Sequence, residues 1–363
     1  MKVGIVGLPN AGKSSLFNAL TAAGAQAANY PFTTVEPNVA VVGVPDERLD
    51  AVAETVGAKP VVHETIEFHD IAGLVRGAHQ GEGLGNRFLG NIRETDALLH
   101  VVRAHDDAQV VHPEGKVDPI ADVEAVETEL LMADLDTAER RLDRVSRQAK
   151  SLDKELKAEQ AWLERVVEAL REGRPARSVP ASPDAPNGPR QLSALTAKPV
   201  LYVANLAEGE PLEPPPVLAE HAAGSSARAT AVSARLDAEL AELADEDANA
   251  MREDLGVSES GLTTVVREAF ALLSLISYFT AGQDKEARAR AIPAGTRARP
   301  AAGAVHTDME RGFVAAEVVA WDDLVKVGGY AAAREQARLR VEGRDYEMRD
   351  GDVVTFRFTP SKP

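Results

Sequence analysis

Over residues 1–110, short apolar runs rich in β-branched side chains alternate with helical or loop segments. The runs are Val3-Gly-Ile-Val6, Val39-Ala-Val-Val42, Thr65-Ile-Glu-Phe68 and Ala97-Leu-Leu-His-Val-Val102. Such alternation predicts an α/β unit around a mainly parallel sheet. The pattern then changes. Residues 123–172 contain no Gly or Pro, and apolar residues recur in steps of three and four at Leu135, Ala138, Leu142, Val145, Ala149, Leu152 and Leu156. This heptad-like stripe predicts helix. A single rod of that length would reach about 75 Å and expose the whole stripe, so a hairpin turning near residues 151–154 is expected.

Residues 173–197 hold five prolines among Ser, Asn and Gly, a composition that reads as a surface loop unable to hold a helix. The α/β pattern resumes with Lys198-Pro-Val-Leu-Tyr-Val-Ala204 and a short apolar segment ending Val232-Ser-Ala234. The helical stretch is therefore an insertion. A helix over 262–275 closes the first domain, and the remainder has its own strands, including Val353-Val-Thr-Phe-Arg-Phe358. The expected domains are 1–122 with 198–277, an inserted helical hairpin and Pro-rich loop at 123–197, and a C-terminal module at 278–363.

A chain of 363 residues exceeds one small core, and 44% hydrophobic with 27% charged residues is the balance of an ordinary globular protein. No apolar run approaches the roughly 18 residues of a membrane span. The opening Met1-Lys-Val-Gly-Ile-Val-Gly runs into Pro9, Asn10, Gly12 and Lys13 without a cleavage-type site, and reads as a buried first strand. With no cysteine, disulfides, thiolate metal sites and thiol catalysis are excluded, and the cytoplasm is the expected compartment. A net charge of −17 argues against bulk coating of nucleic acid, and no DNA partner is expected. Residues 278–363 carry 14 Lys+Arg against 13 Asp+Glu, which leaves a local RNA contact open there.

Gly7-Leu-Pro-Asn-Ala-Gly-Lys-Ser14 has the P-loop spacing, between a hydrophobic strand and the helix-like Ser15-Leu-Phe-Asn-Ala-Leu20. Glycines let the chain wrap a phosphate with its N–H groups, and a helix N-terminus adds to them. Lys13 supplies a compact positive charge for the β- and γ-phosphates, and the Ser14 hydroxyl suits Mg²⁺. Asp70-Ile-Ala-Gly73 follows a strand. Its carboxylate can hold Mg²⁺ through water, and the Gly73 N–H can face the γ-phosphate. Thr33 and Thr34 lie between these motifs in Tyr30-Pro-Phe-Thr-Thr-Val-Glu-Pro37. Either one could join the Mg²⁺ only when a triphosphate is bound, or be an ordinary loop hydroxyl.

Base selectivity is addressed by Asn205-Leu-Ala-Glu208, where GTPases commonly have Asn-Lys-x-Asp. Leu206 removes a charged stem over the base, and Glu208 is one methylene longer than the Asp that accepts from guanine. Adenine offers a donor beside an acceptor, which the Asn205 amide matches in both senses, with Leu206 as an apolar wall. The alternative is that Asn205 caps a turn. Leu74 stands where many GTPases have the Gln that orients water, so hydrolysis is expected to be slow or to use another group. Among histidines, His112 lies in the Pro/Gly loop Val111-His-Pro-Glu-Gly-Lys-Val-Asp118, with His63, His69, His79 and His105 as rivals.

Taken together, Gly7–Ser14, Asn29-Tyr-Pro-Phe-Thr-Thr-Val-Glu-Pro-Asn38, Asp70-Ile-Ala-Gly-Leu-Val-Arg-Gly-Ala-His79, Gly83-Leu-Gly-Asn86 and Asn205–Glu208 resemble the YchF subfamily of Obg-like ATPases over essentially the whole chain. The resemblance implies a P-loop domain interrupted by a coiled-coil hairpin and followed by a ubiquitin-like β-grasp module of the TGS type. It implies ATP on Asn10, Ala11, Gly12, Lys13, Ser14, Ser15 and Leu206, with Mg²⁺ on Ser14 and Thr34. It further implies K⁺ as an activator through Asn10, His112 as the water-handling residue, and association with ribosomes. Thr33 departs from the family, where Cys is common, and the Pro-rich segment is longer than usual. Three functions remain: a Mg²⁺-dependent ATPase switch, a guanine-specific GTPase of the same fold, and a non-hydrolysing scaffold for RNA or protein.

Overall fold

The computed structural model describes residues 1–27, 38–71, 84–107, 110–113, 115–148, 153–241, 243, 245–254 and 260–360. In chain order the elements are β1 (Lys2–Val6), α1 (Lys13–Ala27), β2 (Val39–Gly43), α2 (Glu47–Val56), β3 (Val61–Val62), β4 (Thr65–Asp70), α3 (Leu84–Arg93) and β5 (Ala97–Arg103). Next come α4 (Pro119–Gln148), α5 (Lys154–Arg171), α6 (Gly188–Leu192), β6 (Val200–Asn205), α7 (Pro216–Gly224), β7 (Arg228–Val232), α8 (Ala234–Leu240), α9 (Asp245–Asp254) and α10 (Gly261–Leu272). The last are β8 (Leu275–Thr280), β9 (Ala287–Pro293), α11 (Ala298–Val305), α12 (Thr307–Arg311), β10 (Phe313–Ala320), α13 (Trp321–Val327), α14 (Tyr330–Glu335), β11 (Arg340–Glu342) and β12 (Asp352–Phe358). They form two compact units, 1–42 with 66–272, and 43–65 with 273–363.

The first unit is built on a sheet of order β2-β4-β1-β5-β6-β7. The ladders joining β4, β1, β5, β6 and β7 are all parallel. β5 and β6 are buried along their whole length, as a strand covered on both faces must be. Leu98, Val102, Tyr202 and Ala204 share one cluster with Phe88 and Ile92 of α3, Val126 and Leu130 of α4, and Leu218 of α7. Helices α1 and α10 pack on β1 and on β5 to β7, contribute nothing to that cluster and cover the other side.

The insertion is a helical hairpin. Ala138 and Val145 of α4 pack with Trp162, Leu163, Val166 and Leu170 of α5, and Leu135, Leu142 and Leu156 of the expected stripe lie against this cluster. α4 ends at Gln148 and α5 starts at Lys154, where Asp153 caps α5 by accepting from the Glu155 and Leu156 N–H groups, and residues 151–152 of the expected turn lie outside the described residues. Ala149 and Leu152 lie outside the described residues. At the hairpin base Asp134, 1% exposed, accepts from the N–H groups of Leu195 and Thr196 at 2.8 and 2.7 Å and from the Thr196 hydroxyl at 2.7 Å. Burial raises its pKa, and those donors oppose the rise. The Pro-rich segment is not helix-free. It forms 3₁₀ turns at Ala176–Ser178 and Leu195–Ala197 and the short α6, where Pro189 sits at the first turn and its missing N–H removes no hydrogen bond.

The second unit has a six-stranded sheet of order β11-β10-β12-β8-β9-β3. The parallel pair β12/β8 lies at its centre, flanked by the antiparallel pairs β10/β12, β10/β11 and β8/β9, which is a β-grasp arrangement extended by one strand. Residues 43–65, expected in the nucleotide domain, belong here instead. The amphipathic α2 sets Leu49, Val52 and Ala53 into a cluster with Phe279, Val319, Leu324 and Val353, and Val61 of β3 pairs with Ala287. Arg48 bridges to Asp350 at 2.6 Å, and Asp350 also accepts from the Ser277 N–H at 2.8 Å. The lower boundary also moves. α10 stops at Leu272 and β8 starts at Leu275, inside the span expected to close the first domain.

Candidate nucleotide site

The expected phosphate loop lies at the carboxyl end of β1, between that strand and α1, where open parallel sheets place their ligands. Its backbone requires the residues that the sequence supplies. Gly7 has φ +149°, and a Cβ there would lie 2.4 Å from the Val101 carbonyl oxygen. Gly12 has φ +98°, and a Cβ there would lie 2.1 Å from Asn205 Nδ2. Asn10 adopts φ 63°, a left-handed conformation that Asn tolerates better than most residues.

Lys13 folds back over the loop and donates to the Leu8 carbonyl at 2.7 Å, with 8% of its surface exposed. Burial lowers its pKa, and the nearby Asp70 charge raises it; reciprocally, burial raises the Asp70 pKa and Lys13 lowers it. β4 delivers Asp70 alongside Ile5 of β1. Ser14 and Ser15, at the start of α1, are exposed, and Ala11 is buried. A Ser14 hydroxyl and an Asp70 carboxylate are the hard oxygen donors that Mg²⁺ takes beside phosphate and water, so these residues fit the ion. Thr33, Thr34, Gly73, Leu74 and His79 lie outside the described residues.

Three loops are tied to one another by hydrogen bonds. Asn10 Nδ2 donates to the Val111 carbonyl at 3.0 Å, joining the phosphate loop to the segment after β5. That segment is organised by Arg103, 2% exposed, whose guanidinium donates to the carbonyls of His105, Val110 and Asp107 at 3.0 to 3.2 Å. His105 Nδ1 in turn lies 2.9 Å from the Asn205 carbonyl. The role of Arg103 escaped sequence reasoning, although a charged residue closing an otherwise apolar strand was the available signal.

Asn205 is held in place by two backbone groups. It is 7% exposed, its Nδ2 donates to the Ala11 carbonyl at 3.2 Å, and its Oδ1 accepts from the Ala234 N–H at 3.1 Å. One Nδ2 hydrogen and one Oδ1 lone pair are thus engaged within the fold, and the second of each is not committed by these two bonds. The residue clasps the phosphate loop to the start of α8. Leu206 is also 7% exposed and packs in the core cluster with Leu8, so it offers little face to a base. Glu208 is exposed and pairs with Arg235 at 2.7 Å.

His112 is tucked under the first turn of α4, with Nε2 2.9 Å from Asp122 Oδ2 and both side chains buried. The three rival histidines among the described residues are engaged as well. His63 lies 3.2 Å from Asp50 in the second unit, His69 lies 3.3 Å from Glu67, and His105 is held at Asn205. His100, beside Val6, is wholly buried, and burial, then Lys13 and His221, push its pKa down to about 3, so it stays neutral near neutrality.

A parallel sheet with a glycine-pinned loop, a buried lysine and a strand-end aspartate defines a P-loop nucleotide-binding protein. Residues 2–157 match the family described as 50S ribosome-binding GTPase, and residues 275–359 match YchF-GTPase_C, described as a protein of unknown function (DUF933). The chain is 47% identical over 363 residues to the ribosome-binding ATPase YchF of Bacillus subtilis strain 168, covering 99% of each. It is 48% identical over 360 residues to the protein of that name from Escherichia coli O157:H7, covering 98% of this chain and 99% of that one. The solved YchF GTPase of Schizosaccharomyces pombe superposes with a TM-score of 0.87 at 36% identity, over 98% of this chain and 97% of that one. The chain belongs to the YchF family.

Proposed function

We propose that the protein is a Mg²⁺-dependent ATPase that prefers ATP to GTP, turns over slowly and acts as a nucleotide-controlled switch on the ribosome. The observation that carries the nucleotide reading is the loop itself. Lys13 is held inside a ring of backbone groups by Leu8, opposite Asp70, with Ser14 open at the helix start. Lys13 would hold the β- and γ-phosphates, the N–H groups of Asn10 to Ser15 would wrap them, and Ser14 with Asp70 and Thr34 would hold Mg²⁺, which supplies charge neutralisation on the phosphates. Asn10 keeps its amide oxygen after bonding Val111, which suits a K⁺ activator. Among the described residues no helix is long and apolar enough to cross a membrane. The ribosome reading is supported by the names of the Bacillus and Escherichia relatives.

The base preference is supported by what is missing for guanine. A guanine-reading carboxylate must accept from the ring N1–H and the exocyclic amino group, but Glu208 is turned to Arg235. The GTPase reading is favoured in its turn by the name GTPase that the Schizosaccharomyces relative carries and by the ribosome-binding GTPase family matched at residues 2–157. Titrating purified protein with ATP and GTP side by side separates them. ATP is expected to bind at least about tenfold tighter, the worth of one hydrogen bond or a little more. Equal affinity or a GTP preference overturns this part of the reading.

His112 is proposed as the group that handles the attacking water. Asp122 holds its Nε2 at 2.9 Å and so orients the ring. Substituting His112→Ala is expected to lower single-turnover hydrolysis by about 100-fold while ATP affinity changes less than about threefold. An unchanged rate would return the role to another residue.

A further inference from the structure

Charge along the hairpin is segregated. Residues 140–157 carry seven Lys or Arg against three Asp or Glu, a net +4 in a chain of net −17. Residues 123–139, the preceding part of the hairpin, carry six acidic residues and no basic one. Two of the seven cations are engaged within the fold: Arg141 donates to Glu159 at 2.8 Å, and Arg140 pairs with Asp136 at 2.8 Å. Arg144, Arg147, Lys154 and Lys157 are exposed and make no ion pair among the described residues. Elsewhere on this insertion Arg171 pairs with Glu139 and Arg174 with Glu172.

The geometry adds to the charge. Arg140, Arg144 and Arg147 border one shallow groove of about 420 Å³, which they share with Asp143 and Gln148. Their i, i+4, i+7 spacing lines them along one helix face with neighbouring Cβ atoms about 5–6 Å apart, comparable to consecutive phosphates on a strand. From Asp134, where the hairpin is anchored, to Arg147 the helix rises about 20 Å, more than two screening lengths of about 8 Å at physiological salt. Arg147 therefore lies largely beyond the screened field of the acidic residues at the hairpin base, Glu124 to Asp134.

Resting on the ribosome reading above, we propose that Arg144 and Arg147 of α4 with Lys154 and Lys157 of α5 form a docking surface for the phosphate backbone of ribosomal RNA. An acidic protein would complement the same charge. RNA is favoured because no large hydrophobic side chain is exposed between residues 140 and 157 among the described residues, whereas protein interfaces bury an apolar centre and phosphate contacts need none.

The test uses the full chain with Arg144→Gln, Arg147→Gln, Lys154→Gln and Lys157→Gln combined, substitutions that keep helix propensity. Sedimentation with ribosomes is measured at 50 and 200 mM salt, alongside binding of protein-free ribosomal RNA, circular dichroism and ATP affinity. The variant is expected to bind ribosomes at least tenfold more weakly, with a salt slope shallower by about three and with helicity and ATP affinity unchanged. Equal ribosome binding by variant and wild type, an unchanged salt slope, or failure of the wild type to bind protein-free RNA overturns the RNA surface while the ribosome reading stands. Absence of wild-type sedimentation in every nucleotide state overturns both.

Discussion

Substituting Lys13→Ala is expected to weaken ATP binding by at least about 100-fold, or about 2.7 kcal/mol, while leaving the fold in place. The ammonium is buried, and its desolvation opposes the charged form in the absence of ligand. Removing it therefore relieves the empty protein of a buried charge, and only the Leu8 carbonyl loses a partner. With triphosphate bound the same removal leaves anionic oxygens without their compact counter-charge. Asp70 responds in a defined direction. Lys13 lowers its pKa against burial, so in the variant that pKa rises further and the carboxylate is weakened as a ligand when the pH falls. Thermal unfolding with and without saturating ATP is the decisive measurement, because a ligand at about 100 times its Kd stabilises by about 2.7 kcal/mol. An ATP-dependent rise in melting temperature equal to that of the wild type would refute the assignment of Lys13.

Substituting Gly12→Ala is expected to damage both folding and binding. The left-handed backbone at this position disfavours any side chain, and the added methyl would meet Asn205 Nδ2 at 2.1 Å. Asn205 cannot step aside without giving up the Ala11 carbonyl or the Ala234 N–H, each of which would then be left unpaired in a buried place. Together these effects amount to about 3 kcal/mol of stability, with loss of ATP binding at millimolar nucleotide. The conformational part is separable. Asn205→Ala in the Gly12→Ala background should relieve the contact but not the strain, restoring part of the stability and little of the binding. A single variant that melts and binds ATP like the wild type would show that the loop is free to rearrange.

What could be read in the sequence was what local rules determine. The phosphate loop was legible because Gly7 and Gly12 meet steric demands at fixed offsets from a lysine. The hairpin was legible because fifty residues without Gly or Pro carry an apolar stripe of helical period. The fate of residues 43–65 was not. The pattern of α2 shows that Leu49, Val52 and Ala53 share a buried face, but a periodicity names no partner, and the partner lies on strands far along the chain. The clasp made by Asn205 is hidden for a related reason. An amide that could pair with a base can equally pair with two backbone groups, and sequence does not show which of them is nearer. Glu208 and Arg235 are well apart in sequence, so their pairing was equally hidden.

The separation within the second unit also bears on how the chain is made. Residues 43–65 and the strands that complete their sheet are separated by roughly 200 residues. At about 5–20 residues per second, α2 and β3 leave the site of synthesis some 10 to 40 seconds before Phe279 and Val319 exist to receive them. During that interval the greasy side of α2 has no home, while β1, β4 and β5 on either side of it are free to pair. The two folded bodies are therefore expected to mature in order, the one holding the phosphate loop first. The earlier body must keep a loose end of the later one in solution until translation reaches its last strand.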